Sequence, residues 1–368
     1  MAQFEKLFHD FLQNIEWPKD IPDKDLKPLA QELTQIFART IADSMLKGFR
    51  QEFPRKLLKR KKEDLGFEKR CYRRWRKPLD GLELLWEISE EVGAKFNTEG
   101  RAAAVTSKDY KFDALVSLHA RSLRVVREIL CLLYGGFPDA ALSRWRSLHE
   151  LAVTAVFLKN NDNETSHRYL ASFPFAALRA ATQLEKYAER ANMDPFSAEE
   201  MEVMVEQCKA FESRFDKNMY NDYGWASAAL NISKPNFSQI EEAVSLDHWR
   251  PRYRWASQHI HAGYKPTHSW LGMSEAVKQV HLVGQSNSGF VDPIQMTAIS
   301  LNQVNGALFT HKGSIDDVVF LTIAERLATS IAKAALTVEP DGSKKKPKRK
   351  ATKKKKSIAK KKSLTKKR

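Results

Sequence analysis

Residues 249–264, WRPRYRWASQHIHAGY, gather Arg250, Arg252, Arg254, His259 and His261 among aromatic residues. Imidazole exchanges protons near neutral pH, and guanidinium neutralises the charge that builds on phosphorus during a displacement. The two together suit metal-free RNA cleavage, in which the substrate's own 2′-hydroxyl attacks. On a helix, residues seven apart return to within about 20° of one face. Arg254, Ser257 and His261 would then share one line, and Arg252 and His259 another. The catalytic candidates are Arg254, Ser257, His259 and His261, with His261 as acid/base and Arg254 as phosphate stabiliser. The competing reading is structural: a His on a helix carrying Trp and Tyr commonly packs as a hydrogen-bonded neighbour.

A second set of charges sits on helical stripes. Ser117, Arg121, Arg124 and Glu128 recur on one stripe, and Asp139, Ser143, Arg146, Glu150 and Thr154 on the next. Charged side chains among so many apolar ones must be paired. Arg121, Arg124, Arg146 and Glu150 could therefore line an anion pocket, or form a buried ion-pair network.

Other chemistries find no support. His259 and His261 are two apart and point to different helical faces, so no metal is expected. Cys71, Cys131 and Cys208 have no paired spacing, and neither a zinc knuckle nor a disulfide framework follows. No GxxxxGK[ST], GxGxxG or GxSxG motif is present, which removes P-loop nucleotide hydrolysis and ordinary serine hydrolysis. No cofactor is expected.

Apolar residues recur every three or four positions almost throughout, without sustained alternation, and predict an all-α multi-helix bundle. Helices are expected at 3–15, 25–49, 50–64, 67–76, 80–96, 110–134, 138–159, 164–191, 198–220, 239–246, 250–262, 293–311 and 315–338. Gly135 and Gly136 close one helix and Pro138 opens the next, giving an antiparallel hairpin, while Ser197 with Glu200 forms a capping box. Segments 221–235 and 265–292 are the loops expected to carry function. The domain reading is an N-terminal helical region 1–65, a helical core 66–338 and a Lys-rich tail 339–368.

The net charge of +16 is unevenly placed. Residues 344–368 hold 16 of the 61 Lys and Arg and no acid, leaving 45 cations against 45 acids in the remainder. This tail, with Lys344, Lys345, Lys346, Lys348, Arg349, Lys350, Lys353, Lys354, Lys355 and Lys356 in its first half, is expected to be a disordered arm that binds DNA or RNA by counterion release. Residues 47–77 add 14 Lys and Arg against Glu52, Glu63, Asp64 and Glu68, interleaved with Phe53, Phe67, Tyr72 and Trp75. Aromatics beside cations can hold single-stranded nucleic acid, although amphipathic helices facing an acidic body explain the pattern as well. The opening MAQFEKLFHD lacks an export pattern and no segment reaches membrane-spanning length, so a cytoplasmic, nucleoid-associated protein without a membrane partner is expected.

The 121–128 stripe, the stretch ALSRWRSLHELAVTAVFL with Arg146 and Glu150, and Tyr253-x-x-Ala256-Ser257-x-x-Ile260-His261 together resemble the bacterial domain-of-unknown-function 5677 family over residues 66–271. That resemblance implies an all-helical fold and no established activity. A looser one is to the higher-eukaryote-and-prokaryote nucleotide-binding (HEPN) ribonucleases, marked by Arg, four to six residues, then His. Arg254 with His259 or His261, Arg252 with His259, and Arg144 with His149 all satisfy it. Arg254 with His261 is preferred, since they share a face beside the loop at Gly263. The likeness implies a homodimer and a toxin or defence endoribonuclease. The alternatives are a non-enzymatic DNA/RNA-binding or protein-recruiting module and a small-molecule anion-binding protein.

Overall fold

The computed structural model describes residues 2–15, 22–276 and 280–339. Every regular element among them is helical, and none is long and apolar enough to cross a membrane. Two compact units, Met1–Cys71 and Tyr72–Arg368, divide the chain. The Lys-rich arm at 344–368 lies outside the described residues.

In the first unit α1 (Ala2–Gln13) sets Phe8 and Phe11 against Phe37 of α2 (Asp23–Ser107), with ring centroids 5.0 and 5.3 Å away. Separate helices were expected at 25–49, 50–64, 67–76 and 80–96; α2 instead runs through Pro54, Gly66 and Pro78. Each proline removes one N–H donor and each glycine costs about 1 kcal/mol relative to alanine. The Lys, Arg, Glu, Leu and Ala that dominate this stretch are strong helix formers and outweigh those breaks.

In the second unit α3 (Tyr110–Tyr134) and α4 (Pro138–Asn160) form the expected hairpin. Gly135 donates its N–H to the Cys131 carbonyl, Gly136 turns the chain at φ +81°, and Pro138 opens α4 where its missing N–H is harmless. The apolar helix α11 (Val291–Phe309) packs on both, and α12 (Ile315–Val338) packs on α11. Phe112, Trp145, Phe157 and Phe309 are fully enclosed, each worth about 2–3 kcal/mol of burial. Residues 72–107 of α2 close this core: Trp75 stacks on Phe290 at 4.8 Å, and Gly93 admits the His119 ring so closely that a Cβ there would stand 2.4 Å from it.

A chain of paired polar groups crosses the interior. His119 Nε2 lies 3.0 Å from Asn305 Oδ1, Asn305 donates to Ser89 at 2.9 Å, and Ser89 donates to the Leu85 carbonyl. Trp145 donates to Ser300 at 2.9 Å. Beyond α4 come α5 (Asn163–Leu170), α6 (Phe173–Ala191) and α7 (Ala198–Arg214). The continuous helix expected at 164–191 is broken after Leu170 because Pro174 enters at the start of α6. Ser197 and Glu200 do form the capping box of α7. Buried Arg168 of α5 clamps the following loop through Asp216, the carbonyls of Gly224 and Trp225, and Ser227. Short helices α8 (Ser227–Leu230), α9 (Phe237–Ala243) and α10 (Arg250–Ser257) lead to the 258–290 segment that meets the hairpin.

Candidate active site

Asp139 stands in the first turn of α4, just after the Gly-Gly-Phe-Pro turn, so the hairpin itself fixes its direction. Its carboxylate accepts the N–H of Leu271 at 2.8 Å and of Gly272 at 3.0 Å, which pins the chain arriving from α10. Ser286 and Ser288 both donate to the Gly272 carbonyl, and the Ser286 N–H donates to Gly136, so the segment is tied to the hairpin at both ends. His259 comes to rest with Nδ1 3.1 Å from Asp139 Oδ1. Lys265 Nζ lies 3.0 and 2.9 Å from the two ring nitrogens of His259, 4.0 Å from Asp139 and 5.5 Å from the centre of the Trp270 ring.

His259 and Asp139 line an open cleft of about 630 Å³. Phe137, Ile260, Trp270, Leu282 and Val283 make its walls apolar, and Ser143, Arg144 and Ser147 of α4 supply polar groups. Arg144 is paired with Glu128 and donates to Ser147 at 3.1 Å. Lys265 touches His259 without itself lining the cleft.

The electrostatics follow from this packing. Burial lowers the His259 pKa from its ordinary value, the Lys265 ammonium lowers it further, and Asp139 opposes both. Burial likewise lowers that of Lys265 against the pull of Asp139. The lowered pKa favours the neutral imidazole at pH 7, with Nδ1 facing the Asp139 carboxylate and Nε2 facing the Lys265 ammonium. A pinned Asp, a neutral His and a nearby ammonium are the parts of a proton-transfer set.

Of the four catalytic candidates, only His259 enters this cleft. The expected helix 250–262 stops at Ser257, and residues 258–261 continue as turns, because Gly263 and Pro266 give no support for further helical turns. The seven-residue line from Arg254 to His261 therefore does not exist. Arg254 and His261 are both exposed, and neither has a side-chain partner among the described residues. Ser257 spends its hydroxyl on the Tyr253 carbonyl at 2.9 Å, and Arg252 pairs with Asp292.

The four anion-pocket residues lie outside the cleft as well. Arg121 and Arg124 are exposed on α3, where Arg124 pairs with Glu128 at 3.5 Å. Arg146 pairs with Glu150 at 3.2 Å and covers the Tyr253 ring, whose hydroxyl donates to Glu150 at 2.5 Å. Beside them His149, fully buried, meets Glu241 at 2.8 Å, and Arg250 joins the same carboxylate. Both arginines of α4 are thus paired, Arg146 with Glu150 and Arg144 with the Glu128 it shares with Arg124. Among the described residues, no three His, Cys, Asp or Glu side chains are grouped to hold a metal ion.

Asp139, Arg144, Lys265 and Trp270 were not singled out as a site from the sequence. Asp139 and Arg144 stand more than a hundred residues before Lys265 and Trp270, and the sequence placed Asp139 only at the head of a polar stripe just after the hairpin turn. Hairpin and segment fall within one matched region. Residues 112–277 match DUF5677, a family of unknown function. The region runs from the start of α3 past the Asp139-bound segment, and so includes every member of the proton-transfer set. No curated protein and no solved structure matches the chain.

Proposed function

We propose that the protein is nucleic-acid-associated and that the cleft at the α3–α4 hairpin is a metal-independent endoribonuclease site. His259 is its acid/base, in place of the His261 favoured by spacing alone. The observation that carries this reading is the arrangement of His259 between the pinned Asp139 and Lys265 at the wall of an open cleft. A neutral imidazole can take the 2′-hydroxyl proton and return one to the leaving oxygen. Arg144 and Lys265 are the cations nearest that imidazole's cleft and face, fit to balance phosphate charge, while Phe137 and Trp270 offer apolar surfaces to a base.

The Arg-x4–6-His spacing supports a HEPN-like reading through Arg254 or Arg252 with His259, the two matches that end on the cleft histidine. On this proposal the Lys-rich arm holds the polymer near the cleft, two copies assemble as a homodimer, and the protein works in the bacterial cytoplasm or nucleoid in defence or as a toxin. The test is cleavage of a fluorescent oligoribonucleotide in excess EDTA. His259→Gln abolishes cleavage with an unchanged circular dichroism spectrum, and His261→Gln retains it. Loss confined to His261→Gln rejects the His259 assignment, and no cleavage by the wild-type chain rejects the nuclease reading and favours the non-enzymatic module.

A further inference from the structure

A separate surface lies in the first unit, on residues 46–62 of α2. Leu46, Phe49, Phe53 and Leu57 fall within about 80° of one another around the helix axis. Phe49 and Phe53 are 57% and 52% exposed and Leu46 is 45% exposed, while Leu57 at the end of the stripe is half-buried. Phe37, on the opposite face, is the position that α1 occupies with Phe8 and Phe11. Within 47–62 there are eight Lys and Arg and a single acid, Glu52, which is already bound by Lys56 at 2.6 Å. Arg50 and Lys61 border the apolar stripe on one side and Lys56 on the other.

We propose that this face docks, lying flat, on an anionic lipid surface. Charge decides against a second copy of the same segment, because two faces of this sign repel. Nucleic acid would engage the cations and could stack on the phenylalanines, yet it offers nothing to Leu46 and Leu57, whereas an acyl-chain boundary receives all four. The geometry agrees. The segment is about 25 Å of uninterrupted helix with more helix on both sides, which a planar surface accommodates directly and an enclosing protein groove does not. Long Lys and Arg stems can reach up to the headgroups while the Phe and Leu side chains enter below them. The helix lies on the membrane and does not cross it.

The experiment is co-sedimentation of the full chain with phosphatidylcholine vesicles containing 30% phosphatidylglycerol, and with pure phosphatidylcholine vesicles, at 0.1 and 0.5 M NaCl. The higher salt screens the diffuse attraction of the Lys-rich arm and leaves apolar insertion in place. Wild-type protein binds the anionic vesicles more tightly than the neutral ones at both salts. Phe49→Ser/Phe53→Ser lowers the affinity at 0.5 M NaCl about tenfold or more. Arg50→Gln/Lys61→Gln weakens binding about tenfold at 0.1 M NaCl. These positions are exposed, and an unchanged thermal transition confirms folding. Absence of vesicle binding by the wild type, equal binding by wild type and the double Ser variant at both salts, or a loss of RNA affinity in that variant with vesicle binding intact overturns the proposal. The last outcome reassigns the face to nucleic acid.

Discussion

Asp139→Ala probes the joint between the hairpin and the 258–273 segment. The native carboxylate accepts two backbone N–H groups, at 2.8 and 3.0 Å, and faces His259 at 3.1 Å, with only 9% of the residue exposed. A hydrogen bond to a charged acceptor contributes about 1.5–3 kcal/mol, which bounds the two near 3–6 kcal/mol. The adjoining cleft is open, so water replaces part of what the carboxylate provided, and a loss of about 2–4 kcal/mol is expected. Asn at this position keeps one acceptor oxygen and should cost roughly half as much. Urea denaturation gives the global figure, and amide hydrogen exchange at Leu271 and Gly272 gives the local one. Both amides should exchange faster by a factor of ten or more in the Ala variant. If its stability falls within about 0.5 kcal/mol of wild type and both amides keep their protection, Asp139 does not hold the segment and the site's construction is wrong.

Burial lowers the pKa of His119 to about 4. The unfolded imidazole gains a proton near pH 6.5 and the folded one does not, so the stabilisation is complete above 6.5 and is lost as pH falls towards 4. The loss approaches about 3 kcal/mol. Urea midpoints at pH 7 and 4.5 should diverge by much of that amount in wild type, and the divergence should shrink in His119→Gln. Gly93→Ala would place a methyl group 2.4 Å from the His119 ring and should cost about 2–4 kcal/mol in the same assay. Arg168→Met strips the cation from a buried cluster and strands Asp216 and two carbonyls, for a loss of about 3–5 kcal/mol; a change under 1 kcal/mol would show that the clamp is idle.

Much of the architecture could be read from local signals. The GGFP turn, the Pro138 start and the Ser197/Glu200 cap each depend on a few adjacent residues, and the structure shows all three. Misreadings arose where local rules compete. The stretches around Gly48, Gly66 and Pro78 looked like boundaries, yet strong helix formers on both sides carry α2 through them, while the helix expected to be continuous over 164–191 breaks at Ala171 and Ser172, with Pro174 in the first turn of the next helix. The site was legible only in fragments. His259 was among the candidates, but extending its helix five residues too far created a line with His261 that the turn after Ser257 abolishes. Its partnership with Asp139 is a long-range contact with no spacing rule to announce it. The even pairing of Arg146 with Glu150, four residues apart on one helix, was by contrast a local fact.

That His259, Asp139 and Lys265 form one electrostatic unit can be measured directly by following the His259 imidazole through a pH titration by NMR in wild type, Lys265→Met and Asp139→Asn. The wild-type ring should titrate below 6.5, the Lys265→Met ring closer to 6.5, and the Asp139→Asn ring lower than wild type, since one substitution removes a repelling cation and the other an attracting anion. A His259 that titrates at 6.5 in all three proteins would contradict the account.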